Sequence, residues 1–143
     1  MAFTQLVNAQ QVEIVVAGPG DVNRLYVCKG LAQGQVAVQV AGQQSASQSD
    51  TWQFEVGPTL DVGQFRRAIA TVALAGLSES QPAGASASWA VLSVIADFDD
   101  DAGKVRVSAT NQLSVSNPTP NTFEFASLST LGYDVTILAA LPA

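Results

Sequence analysis

The chain has 143 residues, 12 acidic and 6 basic, for a net charge of −6, with no histidine and one cysteine. Without histidine it can build no Ser–His–Asp or Cys–His nucleophile system, and zinc, copper and non-haem iron lose their commonest protein ligand. Few cations exclude a phosphate footprint for nucleic acid or an anionic membrane, and 48% hydrophobic against 13% charged residues excludes disorder and suffices for one packed core over residues 1–143.

Residues Met1 to Asn8 have no basic segment followed by an apolar stretch, so no Sec-type signal is expected at this end. Gln11 to Ala17 then alternates, with Val12, Ile14 and Val16 on one face. Gly18-Pro19-Gly20-Asp21 is turn chemistry, and Arg24 to Lys29 returns with Leu25 and Val27 in phase, which predicts a hairpin. Cys28 lies in that returning strand and reads as a small buried hydrophobe. Gln35 to Ala41 places Val36, Val38 and Val40 on one side, with Gln35, Ala37, Gln39 and Ala41 on the other. Gly42 to Asp50 reads as a Gln/Ser loop. Thr51 to Val56 reads as a strand with Trp52, Phe54 and Val56 inward, stopped by Gly57-Pro58.

Asp61 to Leu77 satisfies both periods. As a helix it puts Phe65, Ile69, Val72 and Leu77 roughly on one face; as a strand it alternates small residues on two covered faces. A strand over Arg67 to Leu77 is the preferred reading, and it would point Arg66 and Arg67 to opposite faces. The uncharged run Ala68 to Leu77 is too short to cross a membrane as a helix, which takes about 20 residues. The expectation is a soluble chain with no membrane insertion.

Ser78 to Ser88 reads as a loop. Trp89 to Phe98 is apolar on both faces, which predicts a central, doubly covered strand. Asp99-Asp100-Asp101-Ala102-Gly103 turns the chain. Lys104 to Ser116 holds one phase throughout, with Val105, Val107, Ala109, Leu113 and Val115 together. Asn117 to Asn121 is another turn, whose Pro118 also blocks the Asn117-Pro118-Thr119 glycosylation pattern. Phe123 and Phe125 mark a short strand, and Tyr133 to Leu141 a last one with an apolar end.

Such a series of short alternating runs, about nine or ten of them, predicts an all-β fold: a single antiparallel β-sandwich, jelly-roll-like. One motif invites metal chemistry. Asp97, Asp99 and Asp101 have the one-three-five spacing of a calcium loop, because a hard cation needs clustered carboxylate oxygens. Ala102 replaces the glycine required at the sixth position, Ser108 stands at the twelfth in place of glutamate, and the flanks are strands. The competing reading is an acidic hairpin tip. Glu13, Glu55 and Glu124 fall on apparent polar faces and read as solvated charge. Trp52 and Trp89 are in phase with aliphatic residues and read as core rather than as a sugar-stacking platform; Tyr26 and Tyr133 admit either role.

The outward strand positions are the remaining clue. They are Gln, Ser, Thr or Ala at Gln35, Ala37, Gln39, Ala41, Thr51, Gln53, Ser108, Thr110, Gln112, Ser114 and Ser116, where exposed edges usually carry lysine. Flat uncharged faces suit close contact with another protein surface. The function expected is therefore non-catalytic: a structural subunit associating with itself or with another protein of an assembly, through these faces and the apolar C-terminal strand. Shell, fibre, virion or appendage components have this character. The alternative is a carbohydrate- or protein-binding module of lectin or adhesin type, with weak calcium binding at Asp97, Asp99 and Asp101.

Overall fold

The computed structural model describes residues 2–16, 22–80 and 84–141. Among these residues every regular element is a strand: β1 (Ala2–Phe3), β2 (Gln5–Val16), β3 (Val22–Ala41), β4 (Gln44–Val56), β5 (Phe65–Glu79), β6 (Ser86–Asp99), β7 (Lys104–Asn117) and β8 (Phe123–Leu141). They form two four-stranded sheets in the orders β1-β4-β7-β6 and β2-β3-β8-β5. All pairings are antiparallel except that of the two-residue β1 with β4. The expected β-sandwich is the fold. A jelly-roll winding does not follow from this order, in which β2–β3 and β6–β7 are hairpins within one sheet.

The eight strands are fewer and longer than the alternation suggested. β3 runs through both the Arg24–Lys29 and Gln35–Ala41 segments, across an irregularity between Gln33 and Val36. β4 begins at Gln44, so most of the expected Gln/Ser loop is strand, paired residue by residue with β7 from Gln44–Asn117 to Val56–Val105. Hydroxyls there supply cross-strand contacts in place of an apolar pattern: Ser47 meets Ser114 at 2.8 Å and Thr51 meets Thr110 at 2.9 Å. Only Gly42, at φ +79°, and Gln43 remain as the link from one sheet to the other. β8 likewise joins two expected strands.

The ambiguous segment is strand β5, as preferred. Its outer face is open rather than covered, with Ile69 55% exposed. A register irregularity between Phe65 and Arg67 leaves Arg66 and Arg67 both exposed, instead of on opposite faces. β6 is also corrected: it is an edge strand, not a central one. A bulge between Val91 and Ser93 shifts its phase, so Ala87, Trp89 and Val91 face the core above it and Val94, Ala96 and Phe98 below. Leu92 and Ile95 are left outside. The turn expected at Gly18–Asp21 lies outside the described residues, as do residues 81–83 of the expected Ser78–Ser88 loop.

The core fills the space between the sheets in two clusters. Toward the Asp99–Gly103 turn, Tyr26, Phe54, Val105, Val107, Val135 and Ile137 pack together, with the Phe54 and Tyr133 rings 5.0 Å apart. Toward the Gly42 link, Val36, Val38, Trp52, Leu113, Leu128 and Leu131 do the same. β7 supplies both, since its single phase holds from Val105 to Asn117 as the alternation predicts. Phe65 and Phe98 stack at 5.1 Å where the β5 and β6 edges close the sandwich.

Candidate interaction surface

The acidic turn is built as a hairpin tip. Asp99 Oδ1 accepts from the Asp101 N–H at 3.1 Å, the Gly103 N–H donates to the Asp99 carbonyl at 2.7 Å, and Gly103 takes φ +66°. Asp97 Oδ1 accepts from the next backbone N–H. Across the outer face, Glu55, Arg106 and Asp97 lie in one cross-strand row. Arg106 Nη2 donates to Glu55 Oε1 at 3.2 Å and also pairs with Asp99 Oδ2. The guanidinium thus already occupies Asp99, the middle carboxylate of the three that a calcium ion would need. No group of three or more His, Cys, Asp or Glu side chains among the described residues has a ligating arrangement.

Trp52 is fully buried, as expected, and Tyr26 and Tyr133 prove to be core residues too. Half-buried Trp89 donates its indole N–H to Asn111 Oδ1 at 3.0 Å, which settles the one polar side chain that β7 turns inward at mid-strand. Cys28 is buried, its Sγ donating weakly to Gln11 Oε1 at 3.9 Å. Burial pushes its thiol pKa up, outweighing a backbone hydrogen bond from Gly57 that acts the other way. It packs in the core, the environment in which a thiol stays weakly reactive.

Glu124 departs from its expected place on a polar face. It is fully buried, while Phe123 is 50% exposed. The inward phase of β8 runs Glu124, Ala126, Leu128 and then Leu131, Tyr133, Val135, so it slips by one residue at Ser129–Thr130. The alternation of Glu124 with Ala126 and Leu128 was the available signal, and Phe123 and Phe125 masked it. Burial raises the pKa of Glu124, and the neighbouring carboxyl of Glu79 raises it further.

Two outer faces remain. On the β4-β7-β6 sheet, rows run Ser45–Ser116–Ser86, Ser47–Ser114–Ser88, Ser49–Gln112–Ala90 and Thr51–Thr110–Ser93, an uncharged face of small side chains. On the other sheet, two rows are apolar but for one threonine: Ile14–Leu25–Leu138 and Val12–Val27–Thr136–Ile69. Val12, Ile14, Val16 and Ile69 there are 59%, 46%, 43% and 55% exposed. Arg67 closes one row, and the next row carries the Lys29–Asp134 ion pair at 3.4 Å. The alternation had located Val12, Ile14, Leu25 and Val27. It could not show that the described residues leave them open, nor that Leu138 and Ile69 extend the same band.

The fold and these surfaces define a two-sheet all-β sandwich with an exposed apolar band. A scan against protein-family models finds no match, and comparisons with curated proteins and with solved structures find no significant match either.

Proposed function

We propose that the chain is a non-catalytic structural subunit that assembles with copies of itself. The exposed apolar band across β2, β3, β8 and β5 supports this most directly. Monomeric proteins seldom leave such a contiguous apolar face in water. Complete burial of a Val, Leu or Ile side chain is worth roughly 1.5–3 kcal/mol, so covering the open halves of several together favours association by several kcal/mol before its entropic cost. The charge distribution agrees: in a chain of net charge −6, four of the twelve acids cluster at Asp97 to Asp101, and the charges bordering the band are the Lys29–Asp134 pair and Arg67. The C-terminal strand contributes through outward Leu138 alone, because its inner face is spent in the core. The Ser/Thr face of the other sheet offers a second, uncharged contact surface, as a shell, fibre, virion or appendage component would require.

Size-exclusion chromatography with light scattering, with and without calcium, tests the reading. A calcium-independent species well above the monomer mass supports it. A monomer at every accessible concentration overturns it.

A further inference from the structure

We propose that two copies meet along β2: residues Val12–Val16 of one copy pair antiparallel with the same residues of a second, centred on Ile14, and join their four-stranded sheets into one continuous sheet. This rests on the self-assembly reading above and names its contact.

The edges of the molecule differ in how well they are protected. β5 is broken by irregularities at Leu74/Gly76 and Gly76/Leu77, and β6 by one at Val91/Ser93. The β4 edge is partly covered by β1, and the free stretches of β3 and β4 near the Gly42 link present Gln, Ser and Ala. β2 has its own bulge at Val7/Gln10, where Asn8 takes φ +53°, and beyond it runs in unbroken register from Gln10 to Val16. That stretch carries four β-branched residues, Val12, Ile14, Val15 and Val16, is exposed on both faces and is open along one backbone edge. It has none of the lysines, prolines or bulges with which proteins guard an edge.

The occupant follows from charge and register. Glu13 is the one charge on the stretch, and it pairs with Arg24 of its own copy. Centring the pairing on Glu13 would set two carboxylates directly opposite, which is unfavourable. Centring it on Ile14 sets Glu13 opposite Val15 of the second copy, whose neighbour on the far side is that copy's Arg24. The two carboxylates and two guanidinia then alternate along one face. On the other face Val12, Ile14 and Val16 of each copy join, and the Leu25–Ile14 row of one copy runs into the Ile14–Leu25 row of the next. A second copy therefore satisfies backbone, apolar and ionic groups together, and net negative copies meet where charge is locally cancelled.

The test is disulfide trapping in a Cys28→Ser background. Opposed residues in an antiparallel pair lie about 4.5–5.5 Å apart at Cα, within the span a disulfide accepts. Ile14→Cys is expected to form a covalent dimer under mild oxidation, and Ile69→Cys, as exposed but on the opposite edge, is not. Ile14→Lys, the residue type natural edges carry, is expected to fold and to lower the light-scattering mass at least about twofold. If wild-type protein is oligomeric but Ile14→Cys fails to cross-link and Ile14→Lys keeps its mass, the β2 contact is overturned and self-assembly stands. If wild-type protein is monomeric, both fall.

Discussion

Glu124 and Asp99 show how differently two carboxylates are used in one chain. Burial, and then the neighbouring Glu79 carboxyl, push the pKa of Glu124 up. Below the ordinary carboxyl pKa of 4.5 both folded and unfolded chains carry the proton, and this contribution to stability is fully present. Above it the unfolded chain ionises first, so stability is lost as pH climbs through the raised folded value. Glu124→Gln, which cannot ionise, is expected to raise the melting temperature at neutral pH by a few degrees and to flatten its fall between acid and neutral pH. Thermal melts across that range check this. Asp99, by contrast, sits in an ion pair with Arg106. Asp99→Asn should cost about 1 kcal/mol in a denaturant titration. Calcium should leave the melting temperature of wild type and variant unchanged, whereas a calcium site would raise the first and not the second. Cys28 belongs to the same scale: its raised pKa and burial predict negligible alkylation in the native chain and complete alkylation in denaturant.

At the scale of elements, strand ends were easier to read than strand interiors. Gly57-Pro58 stops β4 where expected, and the conformation explains the glycine: φ is +86°, and a Cβ there would collide with Ile137 Cδ1. Gly57→Ala should therefore destabilise by more than the ~1 kcal/mol of an ordinary glycine replacement, read from a shifted denaturation midpoint. β7 was legible in full because its phase never changes. β3, β5, β6 and β8 were legible only in part. Each contains an irregularity that shifts its pairing, and one extra residue inverts which side chains face the core. That is why Trp89–Phe98 resembled a doubly covered strand and why Glu124 resembled a surface residue. The Gln/Ser run of β4 was missed for another reason: opposite the buried Val115 and Leu113 of β7 it places Ala46 and an exposed Gln48, too weak a pattern to announce a strand.

At the scale of the whole molecule, the two core clusters hold the sheets together, and the apolar band is surplus to them. Leu113→Ala, in the core beside Trp89 and Val115, should cost about 2–5 kcal/mol and leave the assembly state of the folded fraction unchanged. Ile14→Lys should do the reverse. Denaturation and light scattering on both variants separate the two roles. Composition, the absence of histidine and period-two alternation determined by themselves that this chain is an all-β sandwich without histidine-based chemistry, because those properties depend on residue type and on local backbone geometry. Which strands lie at the edges, which apolar faces stay uncovered, and which carboxylate is buried were decided only by the tertiary structure. Those outcomes depend on pairing order and on bulges, and both follow from contacts between residues far apart in the chain.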